Sequence, residues 1–278
     1  MIACKCQVCR SSDKKDKRLR SSVLLRSAST TIVIDTTPDF RYQMLRSSVD
    51  HLDAVVFTHS HKDHIAGLDD IRAYNFFSQS PMQLFANEET AHALKRDFYY
   101  AFSEKKYPGI PELDLHVIDD QPFSVGDLHL VPIQVRHLHM GVTGYRIGNF
   151  TYITDANFIE ESEKEKIRGS EVLVINALRQ EKHISHFTLQ EAIALATELN
   201  IPHTYFTHIS HQMGLHNEVN HSLPKGMQLA QSISNGTSAQ FCHSGRNERV
   251  QYIFDYRVRN CKAKKDICHD YSKLQTEK

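Results

Sequence analysis

The chain carries no net charge, because 33 Lys and Arg balance 33 Asp and Glu across 278 residues. That lack removes any long-range pull on nucleic acid or an anionic membrane, so a polyanion would have to be met by a local patch. No apolar run approaches the roughly 20 residues of a membrane span. The start, Met1-Ile2-Ala3-Cys4-Lys5-Cys6, does not resemble a secretory signal. There is no internal repeat. Cysteine is scarce and clumped: Cys4, Cys6 and Cys9 lie together, and Cys242, Cys261 and Cys268 are scattered near the end. Such clumping argues against a secreted disulfide framework and for a reducing compartment with a metal site, so a cytoplasmic protein is expected. At 40% apolar and 24% charged residues, the composition is that of an ordinary soluble domain and excludes wholesale disorder. The length suits one large domain or two small ones. What the chain has in surplus is histidine, 18 in all.

Short β-branched runs predict strands at Ser22–Arg26, Thr30–Asp35, Ala54–Thr58, Asp114–Ile118, Leu128–Val135, Gly144–Ile147, Phe150–Thr154, Val172–Asn176 and His203–Thr207. Helices are predicted at Gly67–Ser80, Asn87–Phe102, Glu160–Arg168 and Thr188–Leu199. In the last of these, Thr188 and Glu191 are spaced as a capping box ahead of an apolar stripe. Strand clusters with helices between them imply a layered α/β architecture with mostly mixed sheets. Residues 1–230 are read as the folded domain. Residues 231–278 are read as an atypical tail outside the core, Ser/Asn/Gln-rich and then basic, with a single β-like run at Val250–Phe254.

The stretch Thr58-His59-Ser60-His61-Lys62-Asp63-His64 follows an apolar strand. Three imidazoles and a carboxylate there suit zinc or a similar divalent ion, and a rigid sheet can aim them. One tetrahedral ion does not need all four donors, whereas two adjacent ions do. Further donors stand at strand ends: His137 (with His139 competing for its place), Asp155 and His208. An aspartate can bridge two cations through its two oxygens, which no histidine can, but an Asp after a strand is often just a turn or cap residue, so Asp155 alone is a weak sign. At the other end of the chain, Cys4-Lys5-Cys6-Gln7-Val8-Cys9 can wrap one zinc with three sulfurs. His211, in Thr207-His208-Ile209-Ser210-His211, can supply the fourth ligand.

The order His-x-His-x-Asp-His, then His, Asp and His, resembles the metallo-β-lactamase superfamily of binuclear hydrolases. His64 directly after Asp63 is similar to its hydrolase and phosphodiesterase branches. The added Cys-x-Cys-x-x-Cys and Thr-His-Ile-Ser-His-Gln resemble the phosphoribosyl 1,2-cyclic phosphate phosphodiesterase family. The resemblance runs from about Cys4 to about Ala230. It implies an αββα sandwich of two mixed β-sheets flanked by helices. It also implies two catalytic divalent ions, Zn or Mn, one on His59, His61 and His137, the other on Asp63, His64 and His208, with Asp155 bridging. One structural Zn would sit on Cys4, Cys6, Cys9 and His211.

By the same resemblance His186, in Ser185-His186-Phe187, would act as general acid. A helix-capping or supporting role fits the same position, and His183 is the alternative. Asp63 is placed with the catalytic residues. The substrate implied is a small phosphodiester. A tRNA 3′-processing nuclease is the alternative enzyme, and a zinc-stabilised scaffold is the alternative without catalysis. The neutral charge and the lack of a long insertion argue against nucleic acid. No membrane partner is expected, a homodimer is compatible, and any attraction for phosphate is expected to come from the metals. Relatives begin with a strand ahead of the first Cys and close with another soon after the segment matching Leu223–Ala230. Without these, the sheet is expected to have unpaired edges.

Overall fold

Short apolar runs of three to five residues, with longer ones only where strands pair as hairpins, build two sheets. The structure is a computed structural model that describes residues 1–105, 107–230, 239–242 and 249–253. The first sheet contains β1 (Val23–Arg26), β2 (Thr31–Ile34), β3 (Ala54–Val56), β4 (Met82–Ala86) and β5 (Leu113–Val117). The second contains β6 (Phe123–Val125), β7 (Leu128–His137), β8 (Met140–Ile147), β9 (Phe150–Ile153), β10 (Phe158–Ile159), β11 (Val172–Asn176), β12 (His203–Thr207) and β13 (Met227–Leu229). Two strands beyond residue 230, β14 (Ala239–Cys242) and β15 (Arg249–Ile253), extend the first sheet to the order β14-β15-β1-β2-β3-β4-β5. The second runs β10-β7-β8-β9-β11-β12-β13, with β6 paired on β7.

Both sheets are mixed. Strands β2 to β5 are mutually parallel, as are β9, β11, β12 and β13, while β7, β8 and β9 form antiparallel hairpins. Three apolar layers follow from this. Between the sheets lie Leu25, Ile32, Ile34 and Val56 against Tyr145, Phe150, Tyr152 and Val174. Outside the first sheet, Val33, Val55 and Leu84 pack on Phe40, Ile65, Leu68 and Leu94. Outside the second, Leu173, Ile175 and Phe206 pack on Leu189, Ala192 and Ala196. The result is the αββα sandwich.

The helix over Leu189–Glu198 carries the predicted capping box, with Thr188 Oγ1 accepting from Glu191 N–H and Glu191 bonded back to Thr188 N–H. Two predicted helices are each broken in two. Gly67–Ser80 divides into a 3-10 turn, Leu68–Ile71, and a helix, Arg72–Ser78. Asn87–Phe102 divides at Phe98, whose ψ of 36 ends the helix Glu88–Asp97 before Tyr99–Phe102 begins. Gly67 has a packing role: a Cβ there would lie 2.2 Å from Thr37 O, so its absence lets the turn after His64 press against the end of β2.

The edge expected to be bare at β1 is paired. Leu24, Leu25 and Arg26 stand opposite Ile253, Tyr252 and Gln251 in an antiparallel ladder. A later part of the same chain therefore covers it. Apart from β14 and β15, the 231–278 tail lies outside the described residues. So do Asn235-Gly-Thr237, Cys261, Cys268 and His269.

Candidate metal centre

Parallel strands deliver their carboxyl ends to one rim, where an α/β sheet places its ligands. Here β3 delivers the loop with His59 and His61, then the short helix Lys62–Ile65 with Asp63 and His64. His137 is the last residue of β7, Asp155 follows β9, and His208 follows β12. Asp155 lies at the middle. Its Oδ2 is 3.2 Å from both His59 Nε2 and His64 Nε2, and its Oδ1 is 2.9 Å from His208 Nε2. Asp63 Oδ2 is 3.6 Å from His208 Nε2 and 3.9 Å from His64 Nε2. The His61 ring lies 4.8 Å from that of His59 and 5.2 Å from that of His137, centre to centre. In each of the trios His59/His64/Asp155, His61/His137/Asp155 and Asp63/His64/His208, the donor atoms fall within 4.8 Å of one another. His139 is exposed in the β7–β8 turn and belongs to none of these trios.

Among the described residues, three buried ring nitrogens here have no hydrogen-bond partner: His59 Nε2, His64 Nε2 and His186 Nε2. Such orphans cost on the order of 1–3 kcal/mol each if nothing binds them, and a cation restores the balance. Bonds of about 2.0–2.1 Å at a tetrahedral or octahedral ion separate neighbouring donors by roughly 2.8–3.4 Å, which matches the Asp155 distances.

Ring orientation is fixed from behind. Asp35, fully buried after β2, accepts from Thr58 N–H at 2.8 Å, Thr58 Oγ1 at 2.8 Å and His64 Nδ1 at 2.8 Å. A carboxylate accepts only, so His64 carries a proton on Nδ1 and keeps Nε2 for the centre. Since the Thr58 hydroxyl is spent on Asp35, its oxygen accepts from His59 Nδ1 at 3.0 Å, which leaves His59 Nε2 bare. His137 Nδ1 donates to Ser185 O at 2.7 Å with the same consequence. Asn176, at the end of β11, grips the turn after Asp155 by accepting from Ala156 N at 2.8 Å and donating to Ala156 O at 2.9 Å. Asp35, Asp155 and His208 all take left-handed φ values, 67, 52 and 54, a strain that the surrounding contacts must hold.

Electrostatics divide the imidazoles. Burial lowers the pKa of His59, His61 and His137, keeping them neutral as ligands must be. For His208 burial acts the same way, but Asp155 and then Asp63 outweigh it and raise its pKa to about 9. His64 is raised too, because Asp35 and Asp155 overcome its burial. Both carboxylates, Asp63 and Asp155, are shifted down by these imidazoles despite burial. A divalent ion takes over their neutralisation, so its binding releases protons.

The second cluster is separate. Cys4 Sγ and Cys6 Sγ each lie 3.4 Å from His211 Nδ1, and Cys9 completes a set within 4.8 Å. A tetrahedral zinc with bonds of about 2.3 Å to sulfur and about 2.0 Å to nitrogen holds those donors roughly 3.5 Å apart, so the loop fits one. The Cys6 thiol is pulled down to about 6, first by the Cys9 N–H and then by His211.

Residues 30–209 match a family described as the Beta-lactamase superfamily domain. The chain belongs to the metallo-β-lactamase superfamily. Among solved superfamily structures, "a New Diphosphatase from the PhnP Family" is 39% identical, with a TM-score of 0.78, covering 85% of this chain and 89% of that one. Zn(2+)-bound PqqB from Methylobacterium extorquens is similar in fold alone, at 17% identity and a TM-score of 0.64, covering 82% of this chain and 92% of that one. A curated relative from Porphyromonas gingivalis, called "Octanoyltransferase", is 38% identical over 226 residues, 80% of this chain. The chain spans 46% of that relative's length. The superfamily fold places a buried His/Asp cluster at the rim where a metal site can form. No helix among the described residues is long and apolar enough to cross a membrane.

Asp35, Thr58 and Asn176 were not singled out from the sequence. Asp35 carried one signal, its place as the last residue of the strand run Thr30–Asp35, but an acid there also reads as an ordinary turn residue.

Proposed function

We propose that this chain is a binuclear metal-dependent phosphodiesterase acting on a small diester, with a cyclic sugar phosphate as the type its motifs favour. The observation that carries this is Asp155, whose carboxylate lies within 3.2 Å of imidazoles from both ligand sets, His59 of one and His64 and His208 of the other. His59, His61 and His137 would hold one ion, and Asp63, His64 and His208 the other. Bound there, zinc or manganese supplies Lewis acidity toward water and a phosphoryl oxygen. The Cys4, Cys6, Cys9 and His211 set would hold a zinc that is structural, since all four positions are filled by protein.

The chain's own part is placement and proton delivery. The His186 ring stacks on His208 at 5.1 Å and stands edge-on to His137 at 4.4 Å. Its Nε2 is buried, without a partner, and 3.9 Å from Asp155 Oδ2. A proton on that nitrogen is placed for a leaving alkoxide oxygen. Its Nδ1 meets Ser185 Oγ at 3.1 Å and His183 Nδ1 at 3.2 Å, so His183 and Ser185 hold the orientation of the ring. The relative described as a diphosphatase supports chemistry at phosphorus. The octanoyltransferase name gives no ground for acyl transfer, because more than half of that protein has no counterpart here.

The test is metal analysis with a phosphodiester assay. Purified protein should hold close to three transition-metal ions per chain and hydrolyse bis(p-nitrophenyl) phosphate. One ion per chain without turnover overturns the reading. His186→Ala should slow release of an unactivated alkoxide far more than release of p-nitrophenolate. Equal effects on the two would remove the general-acid role.

A further inference from the structure

We propose that Arg20 is a substrate-binding residue that takes a phosphoryl oxygen on the Asp63–His208 side of the centre; this rests on the phosphodiesterase reading above. Arg20 Nη1 is 3.6 Å from Asp63 Oδ2, with the Arg20 side chain 60% exposed. That separation is an ion pair without a hydrogen bond, so the five donors of the guanidinium fork are not spent on Asp63. A planar fork that makes no side-chain hydrogen bond among the described residues, beside Asp63 and a set of cation ligands, is suited to a phosphate that enters between them.

The backbone beneath the fork is fixed, while the fork itself is held only by its ion pair with Asp63 among the described residues. Arg20 N–H donates to Asp39 Oδ2 at 2.8 Å, and Arg20 C=O accepts from Gln43 Nε2 at 2.8 Å. Gln43 is itself buried and accepts from Thr37 Oγ1 at 2.9 Å. The next residue ties into the centre, since His208 N–H donates to Ser21 Oγ at 3.2 Å and Ser21 Oγ meets Thr207 Oγ1 at 3.3 Å. Ser22 Oγ donates to the carbonyl of Asp35 at 3.0 Å. Three consecutive residues are thus pinned to the rim. A side chain needed only for solubility would not require its main chain to be anchored on both polar groups. On this proposal Arg20 shares the attraction for phosphate with the metals.

The experiment compares the wild type with Arg20→Ala and Arg20→Lys, each checked for metal content. Two probes are used, bis(p-nitrophenyl) phosphate and the diphosphate diester diadenosine diphosphate. Arg20→Ala should raise KM by roughly 10- to 100-fold, leave kcat within a few-fold and keep the metal content of the wild type. Arg20→Lys should recover part of the loss. A KM rise on both probes assigns the scissile phosphoryl, and a rise on the diphosphate alone assigns its neighbour. Unchanged KM on both, or a fall in bound metal that accounts for the lost activity, overturns the proposal. If the wild type itself turns over neither probe, the phosphodiesterase reading fails instead.

Discussion

The two donor clusters differ in how they are built. The Cys4/Cys6/Cys9/His211 set draws three of its four ligands from one loop of six residues, is half exposed, and has no donor to spare. The His/Asp set draws on four separate strand ends, is buried at its middle, and holds more donors than one ion needs. A closed set of four is what a structural ion requires, whereas a surplus of donors around a shared carboxylate leaves positions open for substrate. The two nonetheless meet through a short segment: His208 belongs to the centre, and His211, three residues on, belongs to the loop.

The comparison can be broken at its centre. Asp155→Ala should reduce turnover by about 10³-fold or more, the scale at which loss of a charge-stabilising group appears in kcat. It should leave only the structural zinc on metal analysis, and retention of close to three ions would deny Asp155 its bridging place. Cys6→Ser should do the reverse, removing one zinc while the other two remain. Its melting temperature should fall by roughly 5–10 °C, so an unchanged melting curve would show that the loop holds no stabilising ion. Asp35→Asn keeps the shape but weakens the support behind His64, and metal affinity at the centre should drop about 10- to 100-fold. Equal affinities in the two proteins would mean that packing alone orients that ring.

The smallest effect concerns the attachment of the N-terminal segment. His216 is buried, accepts from Arg18 Nη2 at 3.2 Å, and gives its backbone N–H to Asp16 Oδ1 at 2.8 Å. Burial, then Arg18 and Lys15, lower its pKa to about 4. Because the folded pKa lies below the unfolded value of about 6.5, the unfolded state binds more protons between the two. Stability from this group is therefore whole above about 6.5 and is lost as the pH falls toward 4. His216→Asn should flatten that part of the stability profile, as followed by denaturant titration at several pH values.

Elements with continuous apolar runs were legible. The strands Val172–Asn176 and His203–Thr207 begin and end where they were placed; the first is buried at every position and the second at its three central ones. The hairpin strands were read short, since His137 and Met140 are polar or flexible residues that pairing, not composition, keeps in β7 and β8. Met82–Ala86 was missed because MQLFA carries few β-branched residues; it is a strand because it lies between β3 and β5. Among the site residues, the metal-type donors were visible by spacing. Asp35, Thr58, Asn176 and Arg20 were not, because each acts through a partner far off in sequence.

The sequence alone therefore determined which chemistry the chain can carry. Imidazole, carboxylate and thiolate are the side chains that bind such ions, and their spacing within each short motif is set by covalent geometry. It did not determine how the motifs meet. That four strand ends converge on Asp155, that Asp35 fixes two ring tautomers, and that β15 covers the edge of β1 all depend on contacts between distant segments. Only the packing of the two sheets brings those segments together, because burial of their shared apolar layer decides which ends lie side by side.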